Sequence, residues 1–164
     1  MNHTNGNQYC VVRYHDAWYA LPSGVVREVM LCPDVTPLPN SSPLLRGITH
    51  INNEFLTVTE PLLGELTESQ QHQRGESRQL LVVTGPDGAW GLLVDEVADL
   101  TNLDDFQPHQ SSREELCFLG TATHQNRDLR VLDVEETYRS IASNLKPSWQ
   151  HGVRENDLAL EAAP

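Results

Sequence analysis

Positive charge is what this sequence lacks most. It carries 11 Lys and Arg against 23 Asp and Glu in 164 residues, a formal net charge of −12. Such a surface repels phosphate backbones and anionic headgroups, so nucleic acid and membrane insertion are excluded as expectations. Plain solubility accounts for the acidity otherwise. Cysteine is scarce as well. Cys10, Cys32 and Cys117 are odd in number, far apart and free of any CxxC spacing. That argues against a disulfide framework and fits a reducing compartment. Cys10 and Cys117 stand inside apolar runs, as small core residues do. No apolar run approaches the roughly 18 residues of a membrane-spanning helix. Residues 1–8 are polar, with neither a basic n-region nor an apolar h-region. Together these absences predict a soluble, cytoplasmic protein.

Reactive constellations are missing too. The histidines His3, His15, His50, His72, His109, His124 and His151 form no HxH, HxxxH or HExxH, so no metal site is expected. Asp95-Glu96 and Asp104-Asp105 are adjacent acids without the defined gap that acid/base work requires, and read as solvated turn residues. Ser23-Gly24 is not GxSxG, and no GxGxxG or GxxxxGK[ST] cradle occurs. The sequence therefore offers no catalytic residue and no cofactor site. A small-molecule sensor or metal-dependent enzyme could be built only around His50 and His124, which lie near equivalent hairpins. Half-exposed strand histidines account for both.

What the chain does contain is one pattern twice. Tyr19-Ala20-Leu21 followed by Val26 has the spacing of Trp90-Gly91-Leu92 followed by Val97, at an offset of 90 − 19 = 71. Upstream, Tyr9-Cys10-Val11-Val12 answers Leu80-Leu81-Val82-Val83. Downstream, Leu45-Arg46-Gly47 answers Phe118-Leu119-Gly120 at an offset of 120 − 47 = 73, and Leu56-Thr57-Val58 answers Leu129-Arg130-Val131. Repeated order at near-constant offset marks an internal duplication. Copies of about 70 residues have marginal cores by themselves, so the two are expected to pack on each other. The bounds are a first copy at about 9–66, a linker at 67–79 and a second copy at about 80–145. Residues 1–8 and 146–164 are expected to be disordered.

The local patterns are those of strands. Trp90, Leu92 and Val94 share one face of an extended run, with Leu93 on the other, so this strand is expected to be covered on both sides. Residues 9–14 and 18–21 read as a hairpin, and Asn52-Asn53 as a tight turn between two short strands. Residues 25–31 fit a helical turn leading into a strand, which the pattern alone does not decide; 32–44 reads as a proline-rich surface connection, and Pro61 as the start of a helical turn. Asp133 is a plausible N-cap, with Val134, Tyr138, Ile141 and Leu145 on one face and Pro147 ending the helix. Many short strands with close turns make the fold class all-β: two small antiparallel barrels in contact.

These motifs resemble the CheW-like family of adaptor domains in bacterial chemosensory arrays. Trp90-Gly91-Leu92-Leu93-Val94-Asp95-Glu96-Val97 is similar to that family's second-half signature, and Tyr19-Ala20-Leu21-Pro22 followed by Val26-Arg27-Glu28-Val29 to its first-half signature. Thr36-Pro37-Leu38-Pro39 with Arg46-Gly47-Ile48 resembles its proline segment and central strand. The resemblance covers about residues 8–145. It implies two five-stranded SH3-like barrels, a short C-terminal helix, no enzyme activity and no cofactor. The implied partners are the regulatory domain of a CheA-type histidine kinase and the tip of a chemoreceptor. Val26, Glu28 and Gly47 match positions used at partner surfaces, although a core Val, a solvated Glu and a close-approach Gly describe them as well. Where the family usually reads Asn-Leu-Arg-Gly, this chain reads His50-Ile51-Asn52-Asn53. The Arg associated with receptor contact is thus Asn52, which cannot make a bidentate, charge-assisted pair with a carboxylate. The resemblance therefore implies an adaptor with altered receptor coupling, as in a pilus-motility or second-messenger array, beside an ordinary chemotaxis adaptor.

Overall fold

A computed structural model describes residues 8–39, 45–60, 78–109 and 117–143. The strands in chain order are β1 (Gln8–Tyr14), β2 (Ala17–Pro22), β3 (Val26–Leu31), β4 (Leu45–Ile51), β5 (Glu54–Thr59), β6 (Gln79–Gly85), β7 (Gly88–Val94), β8 (Glu96–Asn102), β9 (Gln107–Pro108), β10 (Phe118–His124) and β11 (Arg127–Leu132). A 3₁₀ turn at Ser23–Val25 precedes β3, as the apolar cluster there suggests. Helix α1 covers 134–143. Asp133 caps it, accepting a bond from the Glu136 N–H at 3.1 Å. Leu145, Pro147, the helical turn at Pro61, residues 67–77 and both ends lie outside the described residues. Among the described residues no helix is long and apolar enough to cross a membrane.

Four hairpins are closed by two-residue turns, at positions 15–16, 52–53, 86–87 and 125–126. Asn52 and Asn53 have φ of 49° and 64°, and Gln125 and Asn126 have 51° and 59°. Paired positive φ values are the backbone twist that lets a two-residue turn join right-twisted strands.

The duplication is visible in every pairing. β1 pairs with β8 and β3 with β6, and each ladder has one bulge, between Val11 and Val12 in the first and between Val26 and Glu28 in the second. β2 runs parallel to β11 and β7 parallel to β5, with Ala20 opposite Val131 and Gly91 opposite Val58. Tyr19 and Trp90 occupy matching places, as do Gly47 and Gly120. The sheets nevertheless do not follow the copies. One has the order β8-β1-β2-β11-β10-β9 and the other β3-β6-β7-β5-β4. Each copy lends its first hairpin to the sheet that the other copy completes. One sheet also has six strands rather than five, because residues 107–108 in the stretch expected to be a polar loop pair with β10.

Side chains draw the edges of each sheet together. Asn52, in the turn after β4, reaches Glu28 of β3 at 3.4 Å. His124 of β10 reaches Asp99 of β8 at 2.9 Å. This curling is compatible with small SH3-like barrels. The exchanged hairpins are covered on both faces, as their apolar runs predict. Val11 and Ala20 face one barrel interior with Leu129 and Val131, and Leu80 and Leu93 face the other with Val58. The opposite faces supply Val12, Tyr14, Tyr19, Leu21, Leu81, Val83, Trp90, Leu92 and Val94 to a central core closed by Val134 and Ile141 of α1. Cys10 belongs to this core, where burial pushes its thiol up to about 11.

The exchange predicts that neither half is autonomous. A chain cut between residues 60 and 78 should yield two unfolded fragments by circular dichroism, and mixing them should restore the β-sheet spectrum. A cooperative melt from either fragment alone would contradict the shared core.

Candidate functional site

The surface formed by β3 and the β4–β5 hairpin gathers three of the five partner-contact candidates read from the sequence, Glu28, Asn52 and Asn53. β3 is an edge strand. Glu28 on it is exposed and accepts the bond from Asn52; Asn53 is exposed beside it. Arg27 pairs with Glu54 at 3.3 Å across the same seam. Val26 is half-buried and packs on the central core. Gly47 is buried and does not reach this surface. A Cβ there would stand 2.1 Å from the Thr36 carbonyl oxygen, and its φ is 147°. That close approach lets Thr36 and Ile48 bridge through two backbone bonds. Gly120 serves the second copy in the same way, with the Gln107 carbonyl oxygen 2.2 Å from an added Cβ. Gly47 therefore lies away from this surface and Val26 packs in part on the core, while Glu28, Asn52 and Asn53 meet at the surface.

Three more residues of this surface were not among the partner-contact candidates read from the sequence. Val29 is 41% exposed, Leu31 69% and Phe55 78%. A signal was present for Phe55: Leu56 and Val58 point inward, so strand alternation turns Phe55 outward. Its ring lies against His50 at 4.8 Å. Unpaired backbone along an edge strand, flanked by exposed apolar side chains, has the character of a protein-binding surface.

The described residues also hold a buried ionic cluster. The Glu60 carboxylate accepts a bond from the Tyr14 hydroxyl at 2.6 Å and one from Arg78 Nη1 at 2.7 Å, with Arg46 Nε at 3.1 Å. Arg78 also reaches Asp95 Oδ1 with Nε at 3.2 Å, an ionic contact without good hydrogen-bond direction. Asp95 in turn accepts the His15 backbone N–H. It is thus not the solvated turn acid that its neighbourhood in the sequence suggests. Likewise Arg78 and Gln79, from the stretch read as linker, are ordered: Gln79 begins β6 and its side chain accepts the Val97 N–H. Burial pushes the Glu60 carboxyl up, but the Tyr14 hydroxyl and the guanidiniums of Arg78 and Arg46 outweigh it and hold the group below its ordinary value. Burial and the Glu60 bond raise Tyr14. The remaining signature residues, Tyr19, Leu21, Trp90, Gly91, Leu92 and Val94, are buried, with Val97 half-buried. A Cβ on Gly91 would meet Leu80 Cδ1 at 2.9 Å.

His50 and His124 have separate partners, Phe55 and Asp99, in different sheets. Among the described residues no group of three His, Cys, Asp or Glu is placed to hold a metal ion.

The model of the CheW-like domain family matches residues 8–142. Among solved structures, the chain is similar to the crystal structure of the scaffolding protein TtCheW from Thermoanaerobacter tengcongensis. The sequence identity is 16% and the TM-score 0.68, over 82% of this chain and 90% of that one. At that identity the likeness speaks for the fold alone. No curated protein matches the sequence.

Two outcomes follow from the geometry. Gly47→Ala should cost about 2–4 kcal/mol, from overpacking and an unfavourable φ, read as a lower urea midpoint at unchanged slope. Glu60→Gln should cost up to about 3–5 kcal/mol, because the buried Arg78 loses its hydrogen-bonded charge partner and keeps only the Asp95 contact. Because folding lowers the Glu60 value, its contribution is complete above the ordinary carboxylate range and is lost as the pH falls through it. Urea unfolding between pH 3 and 7 should therefore show an acid-side slope in the wild type that is shallower in Glu60→Gln. Equal slopes would remove Glu60 from the account.

Proposed function

The chain belongs to the CheW-like domain family, and from that membership we propose that it is a non-enzymatic adaptor of a bacterial chemosensory array, acting in the cytoplasm. Its proposed partners are the regulatory domain of a CheA-type histidine kinase and the cytoplasmic tip of a chemoreceptor. The observation that carries this reading is the edge strand β3, with Val29 and Leu31 exposed along it and Phe55 beside it. A similar solved structure is that of a scaffolding protein. An apolar edge rimmed by charge suits a protein partner: apolar contact supplies affinity, and rim charges such as Glu28 set orientation and encounter rate.

Receptor coupling is the point of departure from relatives. Asn52 stands where they carry Arg, and its amide is turned to Glu28. This favours, as a second reading, an adaptor whose kinase contact is ordinary and whose receptor contact is weak, serving a pilus-motility or second-messenger pathway.

A kinase regulatory domain from the same genome should bind at micromolar strength, roughly −8 kcal/mol. Leu31→Ser with Val29→Ser should weaken it at least about tenfold, which is ~1.4 kcal/mol, and leave the melting temperature unchanged because both side chains are exposed. Asn52→Arg with Asn53→Gly should raise affinity for a receptor cytoplasmic fragment by on the order of 1.5–3 kcal/mol, the scale of a charge-assisted bond. The lower end is expected, because Glu28 is close enough to hold the new guanidinium. The turn accepts such a residue: Gln125 holds the same left-handed conformation in the equivalent hairpin. Wild type binding the fragment as tightly as the double variant would leave an ordinary coupling adaptor as the better description.

A further inference from the structure

The six-stranded sheet carries a cavity of about 730 Å³ that opens beside β2 of the first copy and β10 and β11 of the second, with Asp16, Trp18, Asp105, Thr123, Asp128 and Arg130 in its wall. That volume suits a short peptide or a drug-sized ligand. The duplication supplies an internal comparison. At offset 73, Thr121, Ala122 and Asp128 in this wall correspond to Ile48, Thr49 and Phe55 in the first copy; at offset 71, Trp18 corresponds to Ala89. On the same backbone frame, the first copy carries larger and more apolar side chains on its β4–β5 hairpin. The second carries small and acidic ones around a large aromatic wall.

The charge of this wall is unspent. Among the described residues, the carboxylates with no hydrogen bond or ion pair are Asp16, Asp34, Asp104, Asp105 and Asp128, and three of these line this one cavity. Elsewhere carboxylates are engaged, as Glu28, Glu54, Glu60, Asp87, Asp95 and Asp99 are. One face of the Trp18 ring is taken by the Arg127 guanidinium, 4.0 Å from the ring centroid, and Trp18 also packs on the barrel core, so it forms a wall of the cavity without offering that face to a further cation. The guanidinium of Arg130 is turned toward the Phe118 ring, 5.4 Å from its centroid.

We infer that this cavity docks a short basic segment of a protein partner, with an arginine side chain entering between the free carboxylates and the Trp18 wall. Arginine fits better than lysine because its planar, weakly hydrated guanidinium presents a fork of donors that two carboxylates can share beside an aromatic wall. The site lies apart from the β3 edge and does not rest on the adaptor reading.

The test is fluorescence anisotropy with a labelled Ala-Arg-Ala-Arg-Ala peptide on the full-length protein. Asp16→Asn with Asp128→Asn should weaken binding about five- to tenfold, as two lost partly exposed ion pairs imply. Asp34→Asn with Asp104→Asn removes the same charge outside the cavity and should change it less than about twofold. Thr123→Trp, at an exposed wall position, should obstruct the mouth and abolish binding with charge unchanged. Equal loss in the two Asn pairs, or full binding by Thr123→Trp, would reduce the effect to diffuse attraction by an acidic protein and overturn the proposal. So would competition by free spermidine at the peptide's own affinity, which would make the site one for a small polyamine.

Discussion

Glu60 sits where water cannot help it. Its carboxylate is nearly inaccessible, and an ionised carboxyl in such a place persists only when its oxygens are matched by donors. Those donors come from three places in the chain: Tyr14 at the end of β1, Arg46 on β4 and Arg78 just before β6. Through Arg78 the cluster extends to Asp95 at the corner between β7 and β8, and through Asp95 to the β1–β2 turn. The exchanged hairpins are therefore locked against the sheets that receive them by directional contacts. The surrounding apolar core is non-directional and would tolerate a shift that these bonds do not.

Around this clamp, duplication has kept the frame and released the surface. Bulges, parallel pairings and buried glycines recur at the same relative places in both copies. Their outward faces differ. The first copy presents Val29, Leu31 and Phe55 near Asn52, while the matching hairpin of the second carries Asp128 beside a cavity. Even the seam that closes each barrel differs in chemistry. It is a neutral amide on a carboxylate in one, Asn52 on Glu28, and in the other an imidazole whose bond holds the Asp99 carboxyl below its usual range.

Much of this frame was legible in the sequence because strand periodicity and turn chemistry are local. The hairpins, the Asn52-Asn53 turn, the Asp133 cap and the offset linking Tyr19 to Trp90 all follow from neighbouring residues. The exchange of hairpins was not legible. Strands covered on both faces read identically whichever copy covers them, and the repeat offset is silent on who pairs with whom. Arg78 was hidden for a related reason. In a stretch with no large apolar residue, a charge reads as solvent-facing, and only the fold brings Glu60 and Asp95 to it. Of the candidate partner surface, Glu28 and Asn52 could be named from motif positions. Val29 stood in the same motif and Leu31 just after it, but neither could be marked as exposed, because exposed and buried apolar residues on an edge strand look alike in a sequence. Gly47 could be marked but not assigned, since a crowded glycine and a partner-facing one carry the same letter.

The parallel pairing of β2 with β11 also sets a schedule for synthesis. Trp18 pairs with Leu129, so on a ribosome adding about 5–20 residues per second the first hairpin waits roughly 5–20 seconds for that neighbour to emerge. During the wait the face that carries Val11 and Ala20 lacks Leu129 and Val131 within the nascent chain. Two chains emerging side by side from one messenger can fill the gap for each other, each lending the hairpin that its neighbour's sheet awaits. The connection that allows exchange inside one molecule thus makes crowded polysomes the setting in which this fold is most exposed to entanglement between copies.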